Sequence, residues 1–236
     1  ECDAFRFCTI LFSITLPEGL PTIGYSAFAG WKSLRSITLP ESVTEIGYYN
    51  PFIDCSKLQE FKGKYSADGG RALIKDNTFI AFAPACGTTE YTIPNNVTII
   101  GGYAFEDCRS LTSVTLPEGL QTIGYRAFAV CNSLTSITLP EGVQKIEGFA
   151  FFNCNNLTTI TIPASVTELG KQAFDPSGIK KLYCKPTTPP IIRYGNLFSY
   201  SGIAGRTIYV PRASVEAYKS AKGWSEYASA IVGYDF

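Results

Sequence analysis

The stretch from Leu111 to Ser133 is followed by a near copy of itself from Leu134 to Asn156, so the chain is built on a period of 23 residues. No other feature restricts the fold so strongly. A unit this short cannot close a core alone and must stack on its neighbours, which makes the array one continuous solenoid. Phe82, Phe105, Phe128, Phe151 and Phe174 mark the period, and two irregularities interrupt it. The repeat from Leu34 to Lys57 carries one extra residue between Gly47 and Phe52, with Pro51 in the usual place of Ala, a change that a turn absorbs easily. The repeat from Leu58 reaches Ala81 and Phe82 seven residues late. Alternation from Phe61 to Tyr65, then Gly69-Gly70 and Asp76-Asn77, predicts one or two β-hairpins around residues 61–80 in place of a regular coil. Residues 1–10 read as the tail of an earlier repeat, since Ala4, Phe5 and Cys8 sit one period before Ala27, Phe28 and Trp31.

Inside a coil, Ser113-Val114-Thr115-Leu116 alternates polar and apolar residues, the signature of a strand with one buried face, and one such strand is expected per coil. Pro117-Glu118-Gly119 then turns the chain, and Pro17, Pro40, Pro94, Pro140 and Pro163 repeat that corner. Successive strands would stack in parallel about 4.8 Å apart, so equivalent side chains form ladders. Leu11, Leu34, Leu58, Leu111, Leu134 and Leu157 make one, Ile23, Ile46, Ile100, Ile123, Ile146 and Leu169 a second, and the Phe column a third.

After Ser177 the pattern dissolves into Leu182-Tyr183-Cys184, a Pro-rich turn from Pro186 to Pro190, and Ile208-Tyr209-Val210. Val215 and Tyr218, three apart with Gly223 beyond, predict a short helix within Ser214 to Ala221, and Trp224, Tyr227 and Ile231 would seal the open end. The expected architecture is an all-β-rich, right-handed leucine-rich-repeat superhelix of 23-residue coils over residues 1–178. Residues 179–236 would form an atypical final coil and a small helical C-terminal cap.

Charge narrows the partners. Lys+Arg 20 against Asp+Glu 20 offers no cation excess for nucleic acid or an anionic membrane surface. No run of about eighteen apolar residues exists to span a bilayer, and Glu1 falls inside a repeat, which reads as a processing boundary. The chain has no His, which removes the commonest general base and metal ligand and argues against an enzyme. No cofactor is expected.

Cys8, Cys55, Cys108, Cys131 and Cys154 share one column with Trp31 and read as buried free thiols, because ladder spacing is wider than a disulfide prefers. Cys2, Cys86 and Cys184 lie outside that column. Glu18, Glu41, Glu118 and Glu141 follow the corner Pro and read as solvated turn residues, without the spacing of a calcium loop. Tyr25, Tyr48, Tyr125 and Phe149 form a possible exposed aromatic stripe, or else cover their neighbours' turns. The outward strand positions make a hydroxyl ladder, Ser13/Thr15, Ser36/Thr38, Ser113/Thr115, Ser136/Thr138 and Thr159/Thr161, broken by Glu60 and Lys62 in the third coil.

The repeat Leu-x-x-Ile/Val-Thr-Leu-Pro-x-x-Val-x-x-Ile-Gly-x-x-Ala-Phe-x-x-Cys resembles the BspA-like, Treponema pallidum-type leucine-rich repeats, and the likeness covers essentially the whole chain. Gly63-Lys64-Tyr65, Phe82-Ala83-Pro84, Gly223-Trp224-Ser225 and Gly233-Tyr234-Asp235-Phe236 are also similar to that family. The resemblance implies a secreted or bacterial cell-surface protein, in some members linked to adhesion, and transfers no site. The function expected is therefore non-enzymatic binding of an extracellular protein or glycan by a monomeric, adhesin-like module, with a passive spacer as the alternative. Glu60 and Lys62, beside Ser36, Thr38 and Thr92, are the expected contact residues, because a charge pair next to a projecting insertion breaks the ladder's symmetry.

Overall fold

The computed structural model describes residues 10–198 and 205–236. The expected tail contacts of Ala4, Phe5, Cys2 and Cys8 lie outside them. Parallel pairing at a separation of 23 residues, as in Ser13↔Ser36, Ser113↔Ser136 and Ile123↔Ile146, confirms the solenoid.

Each regular coil contributes two short strands rather than the single one expected. The Ser-x-Thr segments form one face in three blocks. The first joins Ser13–Thr15, Ser36–Leu39 and Glu60–Gly63, and the second joins Glu90–Thr92, Ser113–Thr115 and Ser136–Ile137. The third joins Thr159–Ile162, Lys181–Cys184, Thr207–Pro211 and Ile231–Tyr234. A second face is made by the residues just before the repeat's Gly. There Thr22–Ile23 pairs with Glu45–Ile46, and an eight-stranded sheet runs from Ile191–Arg193 through Glu168–Gly170, Lys145–Ile146, Thr122–Ile123, Ile99–Ile100, Thr78–Phe82 and Ala72–Lys75 to Ser66–Ala67. Most of these strands are two residues long, below the length at which alternation can be recognised.

A third ladder of backbone hydrogen bonds joins the turns. The N–H groups of Tyr103, Phe105 and Asp107 donate to the carbonyls of Tyr125, Ala127 and Ala129 at 2.8, 2.8 and 2.9 Å. Those of Arg126, Phe128 and Val130 donate in the same sense to Gly148, Ala150 and Phe152. The residues at the two ends of each such segment are left-handed: Tyr103, Asp107, Arg126 and Val130 have φ of 62°, 63°, 53° and 62°. Such conformations cost about 1–2 kcal/mol each for side chains with a Cβ, and the inter-coil bonds offset them.

The Phe column is buried and stacked, with Phe105–Phe128 and Phe128–Phe151 centroids 5.0 and 5.4 Å apart. The Ile ladder is buried throughout. The Leu ladder is buried except at Leu11, which is 40% exposed at the start of the described array. Cys55, Cys131 and Cys154 are buried, and each thiol donates to a Phe carbonyl of the coil before it at 3.1–3.2 Å. Where the column holds Cys, the small side chain thus also satisfies a carbonyl.

The insertion corrects a second expectation. It is an antiparallel meander, Ser66–Ala67, Ala72–Lys75 and Thr78–Phe82, turning at Asp76-Asn77 with φ of 46° and 61°. It does not project as a rim. Leu73, Ile80, Ala81 and Ala83 pack into an N-terminal core with Trp31, whereas Ala72, Phe79 and Phe82 pack into a C-terminal core reaching Trp224. The hairpin is thus a partition buried on both faces, and the ladders expected to be continuous are divided there. Ser66 Oγ donates to the Phe61 carbonyl at 2.8 Å, and Gly70 lies so close to Glu60–Gly63 that a Cβ would meet the Phe61 oxygen at 2.8 Å. That segment fills the place where the next coil's strand would pair.

The cap agrees with expectation: the α-helix is Val215–Ser220. Tyr218 Oη donates to the Pro186 carbonyl at 2.7 Å, and Trp224 Nε1 donates to Pro190 at 2.8 Å. The aromatic cap therefore satisfies the carbonyls of the Pro-rich turn while covering the last coil. No helix among the described residues is long and apolar enough to cross a membrane.

Candidate functional site

The expected contact residues are only partly brought together. Ser36 is in register with Glu60 and Thr38 with Lys62, so these four share one sheet. Glu60 and Lys62 neutralise each other in an ion pair of 2.7 Å. Thr92 lies on the neighbouring block, in register with Thr115, across a cavity of about 380 Å³ that includes Asp68 and Arg71. The partition separates it from the other four.

The aromatic column also differs from expectation. Tyr48 turns inward, and burial, then the nearby Glu147 carboxylate, hold its hydroxyl well above the ordinary tyrosine range. Tyr49, displaced by the extra residue of the second coil, takes the outward place. It bridges to Gly102 of the fourth coil, skipping the third, and a Cβ on Gly102 would come within 2.1 Å of its ring. Asn50 secures this junction by donating its backbone N–H to Gly102 at 2.9 Å and its amide to Tyr103 at 3.1 Å.

A chain of rings results. Tyr25–Tyr49, Tyr49–Tyr103, Tyr103–Tyr125 and Tyr125–Phe149 have centroids 5.5, 6.0, 5.5 and 5.6 Å apart. Tyr25 and Tyr49 are 39% and 38% exposed, and the others are half-buried. At its C-terminal end the chain opens into a groove of about 570 Å³. Ile146, Gly148, Leu169 and Gly170 form its floor, Tyr49, Tyr125 and Phe149 line it, and Tyr194 stands at its end. A Cβ on Gly170 would meet the Gly148 nitrogen at 2.1 Å, so the floor depends on two coils approaching backbone to backbone.

The groove is also charged. Lys145 pairs with Glu147 at 3.0 Å and Arg193 with Glu168 at 2.8 Å. The other Glu147 oxygen accepts the Tyr125 N–H at 2.9 Å, so this carboxylate positions the central ring. The Glu147 side chain raises the Lys145 ammonium above its usual range. Lys171 makes no ion pair among the described residues and lies against Gly195. One signal was legible in the sequence: Glu147 stands where Gly24, Gly47, Gly101, Gly124 and Gly170 occupy the other coils.

Other candidates place differently. Glu141 pairs with Lys185 at 2.7 Å, and no group of three or more Cys, Asp and Glu able to hold a metal occurs among the described residues. Glu106, beside Arg126 at 2.8 Å, is buried, and burial pushes its carboxyl up to about 7 despite that guanidinium.

Comparison with known proteins gives the family. The BspA type leucine rich repeat region matches in six copies, over residues 1–70 and 72–203. No curated protein sequence matches. The pneumococcal vaccine antigen PcpA has a similar structure at 18% identity and a TM-score of 0.63, covering 96% of this chain and 68% of that one. A leucine rich cell surface protein from Faecalibacterium prausnitzii aligns at 21% identity and TM-score 0.55, covering 87% and 65%. A leucine-rich repeat protein from Eubacterium ventriosum aligns at 24% identity and TM-score 0.52, covering 72% of this chain and half of its own. These identities establish a shared fold. The internal period, the parallel ladders and the six matched copies together place this chain in the BspA-type leucine-rich-repeat family.

Proposed function

We propose that the chain is a non-enzymatic, extracellular or cell-surface interaction module, acting as a monomer, whose contact face is the aromatic groove. The observation that carries this reading is the unbroken path of rings from Tyr25 to Phe149, ending in the groove that Tyr194 also lines. Tyr194 is 90% exposed and held at φ 62°, a left-handed conformation uncommon for a residue with a Cβ. A ring so placed buries nothing within the chain, and exposed rings at a groove are the usual anchors of recognition. Glu147 and Glu168 are both committed to ion pairs, which suits orientation of a ligand better than acid–base chemistry. One structural neighbour is described as a cell surface protein, which supports the location.

The passive spacer is the competing function, and the Glu60, Lys62, Ser36 and Thr38 face is the competing site. Its two charges cancel and its neighbouring insertion is buried, so it offers less to a partner. The test is binding of the purified chain to immobilised extracellular matrix proteins and to a glycan array. Tyr125→Ala and Tyr194→Ala should each weaken any interaction at least tenfold, about 1.4 kcal/mol. The paired change Glu60→Ala with Lys62→Ala should leave it intact. Loss through the latter pair alone would move the site to that sheet, and no binding on either panel would favour the spacer.

A further inference from the structure

The geometry points to a carboxylate-bearing saccharide as the ligand of the groove, a narrower assignment that rests on the groove being the contact face. Three features select this chemistry. The lining offers ring surfaces, exposed Tyr49 and Tyr194 and half-buried Tyr125, on which the CH-rich face of a sugar ring can lie. Paired polar groups flank them: Lys145 with Glu147 and Arg193 with Glu168 supply donors and acceptors side by side, as vicinal hydroxyls require. The third feature is charge. Lys145, Lys171 and Arg193 face only Glu147 and Glu168 within the groove, and Lys171 is the cation left over.

Arg193 strengthens the argument. Only its Nε is engaged with Glu168, so its terminal nitrogens make no hydrogen bond among the described residues. A guanidinium with two free nitrogens beside an unpaired ammonium matches a carboxylate on the ligand. This differs from the rest of the ring path. Around Tyr25, Tyr49 and Tyr103 the outward short-strand positions are Thr22, Glu45 and Ile99, which provide no cation, and Arg126, 5.8 Å from the Tyr103 ring centroid, is committed to Glu106.

A peptide fits less well. Strand addition needs unpaired backbone, but Lys145–Ile146 is paired on both sides, with Thr122–Ile123 and with Glu168–Gly170, and the edge strand Ile191–Arg193 offers only three residues, with Gly223 packed against Ile192. Apolar anchors need a deep pocket, whereas Ile146 and Leu169 in the floor are sealed at 0% exposure. What remains accessible is the aromatic lining with its charged edges.

The experiment compares oligosaccharides of uronic and sialic acids with the same compounds methyl-esterified at their carboxyls, by calorimetric titration of the intact chain. The acids should bind at least tenfold more tightly than the esters, and the difference should shrink as ionic strength rises. Lys171→Gln should reduce that difference, and Tyr194→Ala should weaken acid and ester alike. Tyr194 is solvent-exposed, so its loss reports on contact rather than folding. Equal binding of acids and esters, or no binding of either, overturns the assignment. Should a protein partner bind and be lost with Tyr194→Ala while every saccharide fails, the groove stands as the contact face and the ligand class falls. Binding that survives Tyr194→Ala and Tyr125→Ala together refutes the groove itself.

Discussion

Replacing Phe128 by Ala should cost about 4–5 kcal/mol, the upper part of the range for a buried Phe. The reason lies in what surrounds the ring. Phe128 is fully buried and lies between Phe105 and Phe151, with interplanar angles of 11° and 7°. Deletion removes two stacked contacts, each contributing about 0.5–1.5 kcal/mol beyond burial. It also leaves a cavity that cannot close, because Phe105 N–H donates to Ala127 and Phe128 N–H to Ala150, both at 2.8 Å, holding the coils at fixed spacing. The assay is urea unfolding followed separately at the two tryptophans, using Trp31→Phe and Trp224→Phe backgrounds. Trp31 reports on the N-terminal core and Trp224 on the C-terminal one that contains Phe128. The loss should appear fully at Trp224 and weakly or not at all at Trp31 if the hairpin partition lets the two blocks unfold separately. Glu118→Ala, at an exposed turn, serves as the control and should stay within about 0.5 kcal/mol of wild type. A Phe128→Ala effect below about 1.5 kcal/mol, or equal to that of Glu118→Ala, would refute the reasoning from stacked ladders.

Glu106 gives a pH dependence. Its folded-state value, about 7, exceeds the ordinary 4.5, so the folded chain binds the extra proton and the stabilising contribution is complete below about 4.5. It is lost as pH rises through about 7, a change of roughly 3 kcal/mol, and Glu106→Gln should flatten that part of the stability profile; parallel profiles would disprove it. Gly170→Ala should destabilise by more than about 2 kcal/mol, since its Cβ would meet backbone 2.1 Å away and the coils must part; an unchanged urea midpoint would count against that close approach. Cys55, Cys154 and Cys184 are held up to about 12 by burial, and Cys108 and Cys131 are raised in the same way. Brief alkylation of the folded chain at pH 8, read by peptide mapping, should therefore modify half-buried Cys86 and spare those five until the chain is denatured.

The repeat itself determined most of the fold. A fixed period forces equivalent residues into ladders, so the buried Phe and Ile columns, the thiol column, the Pro corners and the short terminal helix all followed from spacing and residue type. Tertiary structure decided what depends on departures from that period. One extra residue in the second coil placed Tyr49, not Tyr48, on the surface and joined it to the fourth coil, a contact between segments more than fifty residues apart that no local pattern encodes. Alternation within residues 61–80 indicated hairpins, but alternation reads the same whether one face or both are buried, and only packing showed the hairpin as an internal partition. The second strand of each coil has no signature in the sequence because two residues cannot display a period. The groove is hidden for a related reason: Lys145, Glu147, Glu168, Lys171 and Arg193 come from three successive coils, and in sequence they are separate surface charges. They become one site only when the coils stack, because parallel register sets residues 23 apart side by side.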